Sequence, residues 1–84
     1  MGTVRIRYWA GAKAAAGTAL EEVQADTPRQ ALEDARRRRG DAGFDRVLAA
    51  SSLLIDGRAA HDAELDGPVE GVVELEVLPP FAGG

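Results

Sequence analysis

The strongest constraint on the fold is an alternating segment near the end of the chain. Val73, Leu75 and Val77 alternate with glutamates, which is the period of a strand that buries one face. Pro79 and Pro80 follow at once. Because proline has no amide hydrogen to donate and resists helix formation, the sheet must end there and the chain must leave it extended. The sequence therefore predicts a final strand that passes directly into a tail.

The predicted tail runs from Pro79 to Gly84 and ends in two glycines. Glycine has no Cβ, so the backbone of Gly83-Gly84 is thin and the carboxylate expected on Gly84 is unhindered. Fully extended, the tail could reach about 20 Å from the domain, at roughly 3.3 Å per residue. A narrow active site on another protein could admit this end and do chemistry on it. The alternative is a frayed terminus, which the Pro-Pro-Phe-Ala segment directly after a strand disfavours.

Size and composition exclude several classes of protein. With 84 residues the chain can form one domain with a modest core and little room for a deep pocket. It has no cysteine, which excludes disulfides, thiolate metal sites and a cysteine nucleophile, and no metal site is predicted. A formal net charge of −4 disfavours nucleic acid and favours a basic protein partner. No signal peptide or membrane span is recognisable, so a cytoplasmic location is expected.

The remaining segments predict an α+β domain over residues 1–78, with the tail of residues 79–84 outside it. Strands are predicted at 4–9, 20–25, 52–55, 58–60 and 73–77. The first and last strands are expected to lie side by side and parallel, which makes the last strand central. The tail would then leave from a rigid strand in the middle of the sheet.

One main helix is predicted to begin after Thr27 and to end at Gly40. Thr27 can cap its first turn, Pro28 suits the first helical position, and Gln30 completes a capping box. Gly40 is a natural C-cap. A short second helix is predicted within residues 41–50, and residues 61–71 are expected to be irregular. The alanine-rich stretch between Gly11 and Gly17 could be a loop or a single helical turn.

Some polar residues admit two interpretations. The run Arg36–Arg39 is interpreted as a solvated helix end rather than a nucleic-acid patch, because acidic residues surround it. His61 is interpreted as a surface residue rather than a metal ligand. Ser51 and Ser52 lack the context of a nucleophile and are expected to be structural.

Three residues on the outer face of the predicted sheet are left open. Glu74 and Glu76 could pair with a basic partner or be solvated. Trp9 points away from the apolar residues of the first strand, so it could be exposed at a protein interface. It could equally be covered by the segment between Gly11 and Gly17.

Several segments together resemble the MoaD/ThiS family of sulfur carriers, and within it the small subunits of molybdopterin synthases. They are residues 4–10 with 14–17, the Asp56-Gly57 hairpin and, above all, the Leu-Pro-Pro-Phe-Ala-Gly-Gly sequence of residues 78–84. The resemblance implies the ubiquitin-like β-grasp fold, a mixed sheet of four to five strands crossed by one main helix. Two positions depart from the family pattern. Leu78 is often aromatic there, and Phe81 stands where a small aliphatic residue is common, so Phe81 would need a larger groove in its partner.

The resemblance also implies a function for the tail. An ATP-dependent, E1-like enzyme would adenylate Gly84, and a sulfur donor would convert it to a thiocarboxylate. The segment Pro79, Pro80, Phe81, Ala82 and Gly83 would insert into a large synthase subunit, expected in a heterotetramer. Gly84 would then give its sulfur to a cyclic pyranopterin in molybdopterin biosynthesis.

On this interpretation the chain is not catalytic alone and binds no cofactor. Three alternatives remain open: a sulfur carrier for thiazole, cysteine or another thio-metabolite; a ubiquitin-like protein modifier; and a plain interaction module.

Overall fold

The structure is a computed structural model that describes residues 1–80, so Phe81 to Gly84 lie outside the described residues. Helices and strands alternate along the chain in the order β1 (Gly2–Tyr8), α1 (Ala10–Ala16), β2 (Leu20–Ala25), α2 (Pro28–Arg39), α3 (Ala42–Ala50), β3 (Ser52–Ile55), β4 (Arg58–Ala59), α4 (Asp62–Leu65) and β5 (Val72–Leu78).

The five strands form one mixed sheet in the order β2-β1-β5-β3-β4. Strand β1 pairs in parallel with β5, from Thr3 opposite Val72 to Tyr8 opposite Val77. Strands β2 and β3 pair antiparallel with β1 and β5, respectively. The final strand is therefore central, as the sequence predicts, and the β-grasp arrangement of a mixed sheet with one main helix is confirmed.

The core lies between one face of the sheet and the helices. Alternate residues of β1 are buried, and Val4 and Ile6 have 0% exposure. Leu75 and Val77 of β5 are buried to the same extent. Helix α2 contributes an apolar stripe formed by Ala31, Leu32 and Ala35. Apolar burial of this kind stabilises a small domain at roughly 25 cal/mol per Å².

The predicted limits of α2 are confirmed, but its cap differs in one detail. The Thr27 hydroxyl accepts a hydrogen bond from the Gln30 amide at 3.1 Å, and Gly40 closes the helix with φ +57°. The Gln30 side chain does not complete a capping box on Thr27. It reaches one residue further back and accepts from the Asp26 amide at 3.0 Å.

Two segments contain more helix than their sequence suggests. The alanine-rich stretch is the seven-residue helix α1, which ends at Gly17 with φ +79°. Part of the segment 61–71, expected to be irregular, is the short helix α4, so that expectation is wrong there. Tertiary contacts explain this helix, because Leu65 is buried in the core. Arg29 also pairs with Asp62 and Asp66 at 3.0 and 2.6 Å.

None of the helices among residues 1–80 is long and apolar enough to cross a membrane.

A pair of glycine substitutions tests how tightly the start of β1 packs. A Cβ added at Gly2 would lie 2.7 Å from the Gly71 carbonyl oxygen and 2.8 Å from Val69. We expect Gly2→Ala to lower the free energy of unfolding by about 1–3 kcal/mol, as overpacking usually does. A Cβ at Gly11, in α1, would meet no atom within 4 Å. The matched control Gly11→Ala should raise stability by about 0.5–1 kcal/mol, since alanine favours helix. Urea denaturation measures both, and equal effects would contradict the packing described here.

Candidate functional site

The candidate site begins where the central strand ends. The amide of Trp9 donates to the carbonyl of Val77 at 3.1 Å, and Ser52 of β3 pairs with Leu78. The neighbouring strands therefore hold β5 up to Val77 on one side and up to Leu78, its last residue, on the other. A chain that leaves from this point has a fixed origin and direction, which suits a segment that must be presented to a partner.

The two prolines after β5 have different environments. Pro79 is buried against the domain, whereas Pro80 is exposed. Together with Gly11, Val47 and Ala50, they line a shallow, largely apolar groove of about 320 Å³ between α1 and α3, with Arg46 at its side. Of the predicted partner-binding tail, the structure thus places Pro79 in the body of the domain and Pro80 at its surface. Phe81, Ala82, Gly83 and Gly84 lie outside the described residues.

The outer face of the sheet carries a row of paired polar side chains. Arg5 lies between Glu22 and Glu74, at 3.0 and 3.3 Å. The indole Nε1 of Trp9 donates to the carboxylate of Glu76 at 2.9 Å. Both glutamates left open by the sequence therefore have partners within their own chain. Exposed pairs of this kind add little stability, typically below about 1 kcal/mol, but they fix the positions of their side chains.

Trp9 lies on the open side of the sheet beside the start of α1. Its side chain is 42% exposed, so the interpretation that the segment from Gly11 to Gly17 covers it is wrong. The guanidinium of Arg7 lies 5.7 Å from the centre of its ring, a favourable cation–π distance. The indole is thus held by Arg7 and Glu76 close to the point where the tail leaves.

Beneath the same end of the sheet, Tyr8, Glu21 and Arg39 form a partly buried polar cluster. The Tyr8 hydroxyl donates to Glu21 Oε2 at 2.5 Å, and Arg39 reaches the same oxygen at 2.7 Å. Arg38 adds a contact to Oε1 at 2.9 Å. This cluster joins β1, β2 and the end of α2 and so stiffens the base from which the tail leaves.

Burial and hydrogen bonding act in opposite ways on the two acids of this cluster. Burial raises the pKa of Tyr8 well above its usual value, and the hydrogen bond to Glu21 raises it further. For Glu21, burial disfavours the charged form, but the hydrogen bonds from Tyr8, Arg39 and Arg38 together outweigh it and leave its pKa below the usual value. The hydrogen bonds of this cluster therefore require Tyr8 as the neutral phenol and Glu21 as the charged carboxylate.

The arginine run at the end of α2 is paired with carboxylates. Arg36 contacts Asp45 at 3.2 Å, and Arg37 contacts Asp34 at 3.1 Å. Arg39 departs from the predicted solvated helix end, because its side chain is only 17% exposed and its guanidinium lies 4.6 Å from the centre of the Phe44 ring. This pairing favours a structural role for the run over a nucleic-acid patch.

His61 and the two serines have ordinary structural surroundings. His61 is exposed at the start of α4, where its amide donates to Glu64 at 2.7 Å. The Ser51 hydroxyl donates to the Val47 carbonyl at 2.7 Å and closes α3. Within residues 1–80, no three His, Asp or Glu side chains are grouped as metal ligands would be.

Sequence reasoning missed the importance of Glu21 and Arg39. The available signal was a strand carboxylate and a run of four arginines in one chain, but their spacing in sequence does not show that they meet. Only the crossing of α2 over the sheet brings them together.

Comparison with known proteins gives matches to solved structures only. No protein-family model matches the sequence, and no curated protein does. The small archaeal modifier protein 1 (SAMP1) from Methanosarcina acetivorans is 20% identical, with a TM-score of 0.81 over 100% of this chain and 98% of its own. A protein described as molybdopterin converting factor subunit 1 from Pyrococcus furiosus is 20% identical, with a TM-score of 0.76 over 96% of this chain and 100% of its own.

A third match is a chain of the complex of subunits 1 and 2 of molybdopterin-converting factor from Helicobacter pylori. It is 17% identical, with a TM-score of 0.68 over 98% of this chain and 99% of its own. The chain has the β-grasp fold of these proteins. At such identities the likeness establishes the fold alone, and the fold implied by the resemblance to the MoaD/ThiS family is confirmed.

Proposed function

We propose that this chain is a sulfur carrier whose loaded group is the carboxylate of Gly84. An ATP-dependent, E1-like enzyme adenylates that carboxylate, and a sulfur donor system converts it to a thiocarboxylate. The chain then donates the sulfur to a cyclic pyranopterin during molybdopterin biosynthesis. In this role it is the non-catalytic small subunit of a two-subunit synthase, with ATP used by the activating enzyme and no cofactor of its own.

The observation that carries this proposal is the origin of the tail. The central strand β5 is held by β1 up to Val77 and by β3 up to Leu78, Pro79 is buried, and Pro80 is the first exposed residue beyond the strand. The sequence then continues with Phe81-Ala82-Gly83-Gly84. A stiff base with a slender end is the form that allows one protein to insert an acyl group into the active site of another.

The chemistry requires little from this chain beyond access to Gly84. A carboxylate is a poor electrophile, so one of its oxygens must first attack the α-phosphorus of ATP and release pyrophosphate. A sulfur nucleophile then attacks the acyl carbon, and AMP leaves with the electron pair of the broken C–O bond. Glycine places no side chain beside either attack. The activating enzyme and the large subunit supply the charged groups and the water-excluding pockets that such steps need.

The large-subunit partner is supported by the Helicobacter pylori relative, which is found in a complex of subunits 1 and 2. The row of paired polar side chains on the outer face of the sheet, together with the exposed Trp9, forms a polar and aromatic surface next to the tail. Interfaces favour tryptophan that is already held in place, because less rotamer freedom is lost on binding. We therefore place the partner on this face, in addition to the tail.

A second candidate function is ubiquitin-like protein modification. The specific observation that favours it is the likeness to SAMP1, whose name describes a modifier protein. The chemistry at Gly84 would begin with the same adenylate, but the acceptor would be a lysine of another protein. Sulfur carriage for thiazole, cysteine or another thio-metabolite would use the same Gly84 thiocarboxylate as the molybdopterin proposal and differ only in the acceptor.

Reconstitution separates these functions. The thiocarboxylated chain is mixed with the large synthase subunit and the cyclic pyranopterin, and the dithiolene product is measured. We expect product in proportion to the sulfur lost from Gly84. Sulfur transfer to a thiazole precursor instead would overturn the molybdopterin assignment. Isopeptide bonds from Gly84 to lysines of other proteins, without any thiocarboxylate, would favour the modifier.

A further inference from the structure

We propose that the groove between α1 and α3 docks an acidic segment of the large synthase subunit, which places an apolar side chain between the two helices. This inference rests on the proposed function for the identity of the partner, and it adds the chemistry of a contact surface. The groove lies between helices, so it is a separate surface from the outer face of the sheet.

The groove is suited to an apolar side chain of a partner. Its lining combines Val47 and Ala50 of α3, Gly11 of α1 and the two prolines that follow β5, and it encloses about 320 Å³. A Cβ added at Gly11 would meet no atom within 4 Å, so the groove is open on the side of α1. So shallow a site can hold a side chain at the centre of an interface, but it cannot enclose a small molecule.

The charges around the groove indicate what covers it. Most cations of the chain pair with carboxylates, but four form no ion pair within residues 1–80, namely Arg7, Lys13, Arg46 and Arg58. Three of these four lie around the end of β5. Arg46 lines the groove, Arg7 lies over the ring of Trp9, and Lys13 follows Trp9 by one turn of α1. An acidic segment would give these cations the partners that they lack.

The carboxylates near the end of β5 do not cancel these cations. Asp45, next to the groove in sequence, pairs with Arg36 at 3.2 Å. Glu21 is held by two arginines from the end of α2. Glu76 accepts from the indole of Trp9, and it adds one negative charge against three positive charges. The surface around the exit of the tail therefore has an excess of positive charge.

The negative charge of the chain is concentrated elsewhere. Residues 56–70 contain five carboxylates and one arginine, which equals the formal net charge of −4 of the whole chain. This segment forms β4 and α4 and leads to the start of β5. The seven residues of β5 separate its start from its end by roughly 23 Å, well beyond the Debye length of about 8 Å at physiological salt. An approaching partner thus meets positive charge at the exit of the tail, although the net charge by itself favours a basic partner.

The first test uses peptides, so it depends on no enzyme. The full chain, labelled with a nitrogen isotope for NMR, is titrated with a peptide of one phenylalanine flanked by glutamates, and separately with its lysine counterpart. We expect the acidic peptide to shift the amide signals of Gly11, Val47 and Ala50, more at low salt than at high salt, and the lysine peptide to leave them unchanged. No shift with either peptide, or shifts with the lysine peptide, would overturn the proposal. Concentration-dependent shifts without peptide would also overturn it, because a second copy of the chain would then occupy the groove.

A matched pair of charge reversals locates the effect. Arg46→Glu and Arg58→Glu each reverse an exposed arginine that has no ion pair within residues 1–80. Arg58 lies on the edge strand β4, two strands from β5 and so roughly 10 Å away across the sheet. Arg46→Glu should abolish the shifts caused by the acidic peptide, and Arg58→Glu should preserve them. Equal losses would mean that overall charge, and not the groove, attracts the peptide, which would contradict the proposal.

Binding to the large synthase subunit tests the partner itself. Arg46→Glu should slow association by at least about ten-fold at low salt and less at high salt, whereas Arg58→Glu should not slow it. Unchanged association of the Arg46→Glu chain would overturn docking at the groove. A large subunit that does not bind the unmodified chain at all would instead count against the proposed function, and the peptide titration would still decide whether the groove binds acidic segments.

Discussion

Removing Gly83 and Gly84 abolishes product formation in the reconstituted synthase while leaving the domain folded; this is the largest effect that we expect. The reacting carboxylate is lost from its position, and the new end at Ala82 is two residues too short to enter the same pockets. All members of the core described within residues 1–80 lie between Val4 and Val77. The free energy of unfolding should therefore change by less than about 0.5 kcal/mol. Product yield and urea denaturation, measured on one preparation, check both parts.

A surface substitution provides the control for this deletion. Arg37→Ala breaks one exposed ion pair to Asp34 at the end of α2, away from the exit of the tail. It should keep both full product formation and near-normal stability. A shortened chain that still forms product would contradict the role of Gly84. A shortened chain that unfolds would show that the last residues belong to the core.

Replacing Phe44 by alanine should produce the largest change in stability. Phe44 is 1% exposed, and its ring packs edge-on against Tyr8 with centroids 5.7 Å apart. Its other neighbour is the Arg39 guanidinium, 4.6 Å from the ring centre. Large-to-small changes at such sites cost about 3–5 kcal/mol. A domain of this size has roughly 4–13 kcal/mol in total, so Phe44→Ala should remove a large part of its stability.

Val72→Ala is the matched control for the loss of Phe44. Val72 is also apolar, but its side chain is 59% exposed at the start of β5. We expect a change below about 0.5 kcal/mol. The comparison is made by urea denaturation with fluorescence of Trp9 as the probe. Similar losses in the two variants would mean that α3 is not anchored by Phe44, and the described position of the groove beside the tail would then be wrong.

The sequence predicts the sheet well because its signals are local. The alternation around Val73, Leu75 and Val77 and the Asp56-Gly57 turn each determine structure within a few residues. The turn has positive φ at both positions, +49° and +84°, as a tight hairpin of this type requires. The parallel pairing of β1 and β5 follows from the crossover: α2 carries the chain from β2 to β3 in the same direction, and β1 and β5 are the antiparallel neighbours of these two strands.

Other features depend on contacts between distant segments, and these the sequence does not reveal. Helix α4 has only four residues and exists because Leu65 reaches the core and Arg29 pairs with its acids. The burial of Arg39 depends on how α2 crosses the sheet. For the candidate site, sequence predicts the residues of the tail, whereas the different environments of Pro79 and Pro80 appear only in the folded chain.

The central claim, that the acyl group of Gly84 is the loaded site, is tested most directly by the mass of the C-terminal peptide. The chain is incubated with an E1-like activating enzyme, ATP and a sulfur donor, and then digested. We predict a peptide in which one oxygen of Gly84 has been replaced by sulfur, and no such exchange when ATP is omitted. An unchanged mass under conditions in which the same enzyme loads a known carrier would contradict the account.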